Sequence, residues 1–293
     1  MARRGVRRAL AAAAACAASG ACAAPPGWYL QVDNDVVFGT DRWYTSGVRI
    51  AHVEARGGHE LEWGLLQEIY TPEAKRDNAI DRPNAARLLA TLARHDRAPG
   101  DWRTLEADLG VTGPAALGRQ AQEFVHRFVP APHEDWSHQR PNRVDAQLAW
   151  ARTQRLPLEP LVNANYGAVI GNQLAFAHAG IELRFGRGAA TGLETPALRF
   201  AATPPLADAQ APSWSPFVGA SVRAVAWNRL LDVGPGDPRQ TPDLRHVVGR
   251  FSGGIAWTGH GAQVVFALLH DTAEFAGQRR GADFGSLTLH LTF

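Results

Sequence analysis

From Trp28 onward, apolar and polar residues alternate with a period of two, in segments of roughly ten to fourteen residues separated by Gly, Pro, Asn or Asp. Near the end of the chain, Leu287, Leu289, Leu291 and Phe293 share one face while Ser286, Thr288, His290 and Thr292 share the other. Ile181, Leu183 and Phe185 alternate with Glu182 and Arg184, and Val218, Ala220, Val222 and Ala224 with Gly219, Ser221 and Arg223. Such a pattern suits either a soluble barrel or sandwich with a dry interior, or a membrane barrel that is apolar outside and polar within. Segment length separates the two: soluble strands average about five or six residues, whereas a tilted strand needs about nine to eleven to cross a bilayer. The polar faces also carry Arg49, Glu106, Arg184 and Arg223, which a wet lumen holds at lower cost than a packed core.

The alternation predicts an all-β transmembrane antiparallel β-barrel of twelve strands, at 27–38, 44–54, 59–70, 85–97, 101–111, 143–156, 158–171, 174–187, 214–228, 246–259, 262–277 and 282–293. In the fourth, Arg87, Leu88, Leu92 and Arg94 also fit a helical period. An even number of strands places both termini at the periplasm, so the connections after the odd-numbered strands face outward. The third outward connection, Thr112 to Asn142, is long. Gly113-Pro114 starts a helix there, Ala115 to Val129 continue it and Pro130 stops it, with Phe124, Val125, Phe128 and Val129 as its apolar side. The connection 188–213 is long on the side where turns are usually short, and no physical reason for it is evident. The closing Phe293, after alternating leucines, resembles the terminal signal read by the barrel-insertion machinery.

Composition alone would have pointed elsewhere. The 293 residues are 45% hydrophobic and 20% charged with a mean hydropathy of −0.21, ordinary values for a soluble protein. No run of about eighteen apolar residues follows the N-terminal region, which excludes a bundle of membrane helices. The formal charge of +2 depends on Arg3, Arg4, Arg7 and Arg8; without the first 26 residues, 26 basic residues face 28 acidic ones. No basic stripe remains for nucleic acid. Those arginines, the apolar run Ala9 to Ala18 and the small residues before Pro25-Pro26 read as a secretory signal peptide, residues 1–24, cleaved after Ala23 or Ala24. Residues 25–293 then form a single barrel domain. A lipid anchor on Cys16 or Cys22 is the competing reading, but the preceding residues match a lipidation box poorly. Both cysteines fall in the leader, so thiol catalysis and Cys-ligated zinc are excluded from the mature chain.

Candidate chemistry gathers in the outward connections. Asp33-Asn34-Asp35 ends the first strand and Asp41-Arg42-Trp43-Tyr44-Thr45-Ser46-Gly47 opens the second. Their carboxylates, amide and hydroxyls are hard oxygen donors of the kind calcium takes. Equally, Asn and Asp could simply form the turn, and Trp43 and Tyr44 could belong to an interfacial aromatic girdle. Gln122 and His126, four apart, lie on one face of the expected helix. Lys75 is the sole lysine of the chain, either a point charge that Arg cannot replace or an accident of composition. His133-Glu134-Asp135 beside Trp136 is a further possible ligand group or a polar loop. There is no G-x-S-x-G elbow, phosphate-binding glycine loop or H-E-x-x-H.

These residues together resemble the outer-membrane lipid A 3'-O-deacylase family. The matching pieces are Asn34-Asp35, Asp41-Arg42 with Tyr44-Thr45-x-Gly47, Gln67-Glu68-Ile69-Tyr70-Thr71-Pro72, Gly110-Val111-Thr112-Gly113-Pro114 and Gln122-x-x-x-His126, in family order over most of residues 28–150. The sequence departs from the family at Asp81-Arg82-Pro83-Asn84-Ala85-Ala86, where many members have Asp-Arg-Pro-Tyr-Ala-Gly, and the nearest glutamate after His126 is Glu134. The resemblance implies a twelve-stranded outer-membrane barrel whose site lies between its wall and a loop helix, facing the outer leaflet. It implies a calcium-dependent esterase that removes the 3'-linked acyl group of lipid A in lipopolysaccharide. Asp35, Asn34 and Thr45 would hold Ca2+, His126 would be the general base, Gln122 would help to fix nucleophile or substrate, and Lys75 would be the active-site lysine. Outer-membrane lipids and the insertion machinery are then its other partners, and a monomer suffices. Two readings compete: a non-catalytic barrel, either small channel or structural protein, and an outer-membrane phospholipase, which would ordinarily need a serine beside its histidine.

Overall fold

The computed structural model describes residues 26–73, 80–128, 134–158, 161–186, 212–234, 236–237 and 240–292. The proposed leader, Lys75, His133 and nearly all of the 188–213 connection lie outside these residues. Twelve strands are formed: β1 (Gly27–Asn34), β2 (Trp43–Arg56), β3 (His59–Thr71), β4 (Ala85–Ala98), β5 (Asp101–Thr112), β6 (Arg143–Leu156), β7 (Leu161–Gly171), β8 (Leu174–Arg184), β9 (Ser213–Asn228), β10 (Val247–Gly259), β11 (Ala262–Asp271) and β12 (Ala282–Thr292). Each pairs antiparallel with its neighbours, and β1 pairs with β12 to close the barrel. Closure leaves no strand edge unpaired, which is what lets a sheet sit in hydrocarbon. The segment with the helical alternative is strand β4, since its two neighbours supply ladder partners along nearly its whole length.

Several predicted elements are shorter than the alternation suggests; the seventh strand begins at Leu161 and the eighth stops at Arg184. The first strand stops at Asn34, whose side chain accepts a hydrogen bond from the Val36 N–H at 2.7 Å and caps a 3-10 turn, Asp35–Phe38. The eleventh stops at Asp271, after which the chain turns inward and buries Phe275 against Trp43 and Leu231. The expected helix 115–129 is a 3-10 turn, Pro114–Ala116, followed by α1, Gly118–Val125. Leu117 separates them with a left-handed backbone, φ 58°, so the apolar period continues past a point where the helix itself breaks.

The wall is polar inside and apolar outside. On β12, Ser286, Thr288 and His290 are buried while Leu287 and Leu291 are exposed. Leu92, Leu105, Leu109, Val144, Leu148 and Ile170 continue the outer belt. Near the termini, Trp28, His52 and Trp63 stack in a row with ring centroids 4.9 and 4.7 Å apart, an interfacial cluster of the kind that edges membrane barrels.

Ion pairs fill the lumen. Arg87 donates from Nε to Asp145 at 2.8 Å, from Nη1 to Glu68 at 3.2 Å and from Nη2 to Gln147 at 2.8 Å. Arg223 and Arg250 both donate to Asp271, at 2.7 and 2.6 Å. Arg49 pairs with Glu62, and Arg82, fully buried, lies 4.3 Å over the Tyr70 ring. These charges sit where a soluble barrel would put aliphatic side chains, and breaking one pair leaves its partner buried without its counter-charge. Arg87→Met should therefore cost about 3–5 kcal/mol and lower the urea midpoint of the refolded barrel. Arg152→Gln, which removes a solvent-accessible pair with Asp101, should leave the midpoint close to that of the wild type. Equal midpoints for the two variants in a denaturation series would contradict this account.

Candidate active site

At the end of the barrel away from the chain termini, β1 and β2 are joined by residues 35–42, and β5 and β6 by the loop that carries α1. A cleft of about 90 Å³ lies between them, lined among others by Asn34, Asp35, Thr45, Gln122 and His126. Five of the six residues singled out in the sequence thus meet at one place; the sixth, Lys75, lies outside the described residues. Neither Glu134 nor Asp135 lines the cleft.

The cleft is on the outer side of the wall. Gln67 and Ile69, which form its floor, alternate on β3 with Glu68 and Tyr70, which face the lumen network. On β2, a register shift between Tyr44 and Ser46 inserts Thr45 as an extra residue. Tyr44 then points inward, donating its hydroxyl to Asp33 at 2.8 Å, while Thr45 and Ser46 both line the cleft. Such bulges re-aim side chains beside functional sites. Trp43 and Tyr44 are not girdle residues: both are 2% exposed, because the bulge and the positive φ of Trp43 turn them into the barrel. The acid cluster is divided by the end of β1: Asp33 on the strand belongs to the lumen network, and Asp35, the first residue of the 3-10 turn, lies in the cleft.

Small residues seat α1 on the wall. Ile69, Ala86, Ala116 and Trp136 form a buried apolar cluster that Leu88, Val111 and Ala121 extend. A Cβ at Gly118 would overlap the Ala86 methyl and come within 3.0 Å of the Trp136 ring, so glycine sets the closeness of approach. The turn before α1 is tied down from both sides. Gln67 Nε2 donates to the Ala116 carbonyl at 2.6 Å, and Asn142 Oδ1 accepts from the Ala115 N–H at 2.8 Å.

One chain of polar contacts crosses the cleft. Trp136 Nε1 donates to Gln122 Oε1 at 2.8 Å, Gln122 Nε2 donates to Asp41 Oδ1 at 3.0 Å, and His126 Nε2 stands 3.5 Å from Asp41 Oδ2. Asp41 was legible only as one more oxygen donor; its pairing with a histidine 85 positions away has no local signal. The same holds for Trp136 and Gln67. Asp35 accepts from the Thr40 hydroxyl at 3.0 Å and the Arg42 N–H at 2.8 Å, both neutral donors. Burial, reinforced by the charge of Asp41, pushes its carboxyl up to about 8. Asp41 is also raised, by burial, with His126 acting in the opposite direction.

A hard cation fits this setting. Asp35 is a buried carboxylate held by neutral donors, with the Asn34 amide and Thr45 hydroxyl on the same cleft wall, and all three offer oxygen. No group of three or more His, Cys, Asp or Glu is placed to hold a metal among the described residues, so amide and hydroxyl oxygens would have to complete such a site.

A closed, inside-out barrel with a cleft on its outer wall defines a membrane β-barrel. The family model described as outer membrane protein LpxR matches residues 7–293, and the chain belongs to that family. A solved structure of LpxR from Salmonella typhimurium is similar with a TM-score of 0.78 and 20% identity, over 91% of this chain and all of that one. The β domain of the Bordetella autotransporter Brka gives a TM-score of 0.46 and 10% identity, over 93% of this chain and all of that one. The comparison with curated proteins gave no match.

If glycine at position 118 is what seats α1, Gly118→Val should lift the helix and leave the barrel intact. Limited trypsin digestion should then cut after Arg119 and Arg127 at least about tenfold faster, with unchanged heat-modifiable migration in a gel. Equal cleavage rates would show that the helix is held by other contacts.

Proposed function

We propose that the protein is an outer-membrane ester hydrolase that removes the 3'-linked acyl chain of lipid A, with the cleft facing the outer leaflet. The observation that carries this reading is the meeting of His126, Asp41 and Asp35 in one cleft on the outer wall of the barrel. A non-catalytic barrel gives no reason for these groups to converge. For a phospholipase, Ser46 does line the cleft, but the polar partner of His126 there is Asp41.

Asp35, Asn34 and Thr45 would hold Ca2+, which when bound supplies Lewis-acid polarisation of the ester carbonyl and stabilises the negative charge developing on its oxygen. The rest of the chemistry belongs to the chain. Asp41 beside Nε2 favours the tautomer with its proton there, leaving the Nδ1 lone pair of His126 as the base. His126 takes a proton from water as the water oxygen bonds to the acyl carbon. It then returns that proton to the departing sugar oxygen, so that a free fatty acid and a 3'-hydroxyl are formed. Gln122, clamped by Trp136, holds Asp41 in place from its other oxygen. Lys75 is carried by the resemblance alone and would add a positive charge near the substrate.

Mass spectrometry of lipid A from cells that express the protein tests the reading. The wild type should remove the 3'-acyloxyacyl mass, and chelation of calcium should prevent it. His126→Ala should lower turnover by about 10²-fold or more. Asp41→Asn should reduce kcat by about 10²-fold or more with little change in KM; loss of the orienting carboxylate of a catalytic triad costs about 10⁴-fold. Unchanged lipid A with the inserted wild-type barrel, or release of fatty acid from phospholipid instead, would overturn it.

A further inference from the structure

We propose that two exposed apolar elements flanking the cleft, the Val36–Phe38 turn and the Phe124/Phe128 pair of the α1 segment, are seated among the acyl chains of the outer leaflet. They would hold the mouth of the cleft inside the lipid layer. The surface rests on the barrel being in a membrane, not on ester hydrolysis, and its partner is the bilayer itself.

The first element is the 3-10 turn after β1. Val36, Val37 and Phe38 are 47%, 53% and 42% exposed, three apolar side chains in succession on a turn whose ordinary composition is polar. This turn does not rise away from the barrel. Val37 lies against the outer face of β12, where a Cβ on Gly285 would meet Val37 Cγ2 at 2.8 Å. Gly285 occupies the same outward column as the exposed Leu287 and Leu291.

The second element is the free side of α1. Small residues turn the opposite side toward the wall, while Phe124 and Phe128 are 57% and 73% exposed. Their rings meet edge to face with centroids 5.4 Å apart, a single apolar knob. The wall beneath the helix is apolar at Leu88 and Val111. Val111 pairs with Val144, which is itself 62% exposed on the outer belt. The apolar outer belt therefore reaches the foot of the loop helix at Leu88, Val111 and Val144. Exposed apolar side chains grouped in this way mark an interaction surface, and their seating on the outer face of the wall, Val37 against Gly285 and the helix over Leu88 and Val111, points to lipid as what covers them. Val36 of the first element and Val125 beside Phe124 line the cleft itself, so lipid around the elements is also lipid at the mouth.

The two cysteines of the chain, Cys16 and Cys22, make a clean test simple. With both replaced by serine, Phe38→Cys, Phe124→Cys and Phe128→Cys are introduced one at a time and labelled with a nitroxide. Leu109→Cys on the outer belt and Ser137→Cys in the exposed loop serve as lipid and water references. In vesicles of phosphatidylcholine and phosphatidylglycerol, collision with oxygen is compared with collision with a water-soluble nickel chelate by electron paramagnetic resonance. Labels at 38, 124 and 128 should give an oxygen-to-nickel ratio within about twofold of that at 109, and several-fold above that at 137. Ratios matching position 137 would overturn the proposal. Heat-modifiable migration confirms that each variant is folded, and the result is independent of lipid A hydrolysis, so the two proposals can fail separately.

Discussion

A strand in hydrocarbon has no water to satisfy its backbone, so every N–H and C=O must find a partner in the sheet. The rest of this molecule follows from that constraint. Pairing β1 with β12 completes the ladder, and closure divides each strand into a lipid side and an interior side. Leucine and valine go outward because lipid costs them nothing. Arginine and carboxylate go inward, where each charge requires a partner. The Arg87 and Asp271 networks are the consequence, an interior held by ion pairs in place of an aliphatic core.

With its lumen occupied by such pairs, the barrel has its cleft on the outside. Two local departures from regularity put it there. The bulge at Thr45 presents a hydroxyl on the lipid side that strict alternation would have assigned differently, and the 3-10 turn after Asn34 folds Asp35 over the wall. Against these, α1 supplies Gln122 and His126 from a loop that lies close because its contact residues are glycine and alanine. Neither half is a site alone: the strand end carries the oxygen donors and the helix carries the imidazole.

Much of this was legible because period-two alternation is a property of individual residues and survives without any knowledge of neighbours. The number and order of the strands, the loop helix and the choice of Asp35, Thr45, Gln122 and His126 come from local pattern and motif. What the pattern missed depends on contacts distant in sequence. Trp43 and Tyr44 look like girdle aromatics by type, yet a one-residue bulge turns them inward. The helix breaks at Leu117, where the backbone turns left-handed, and no residue type at that position announces it. Asp41 becomes the partner of His126 only once the register of six strands brings two loops together.

Asp33 and Asp35 are two apart, yet one addresses the ion-pair interior and the other the cleft. Tyr44 and Thr45 are adjacent and divide in the same way, with Tyr44 bonded to Asp33. The interior thus acts as a gauge block for the outer site: a shift of the lumen packing by one residue would carry Asp35 and Thr45 with it. Substitutions deep in the barrel, far from any substrate, are for that reason not free to accumulate independently of the surface chemistry.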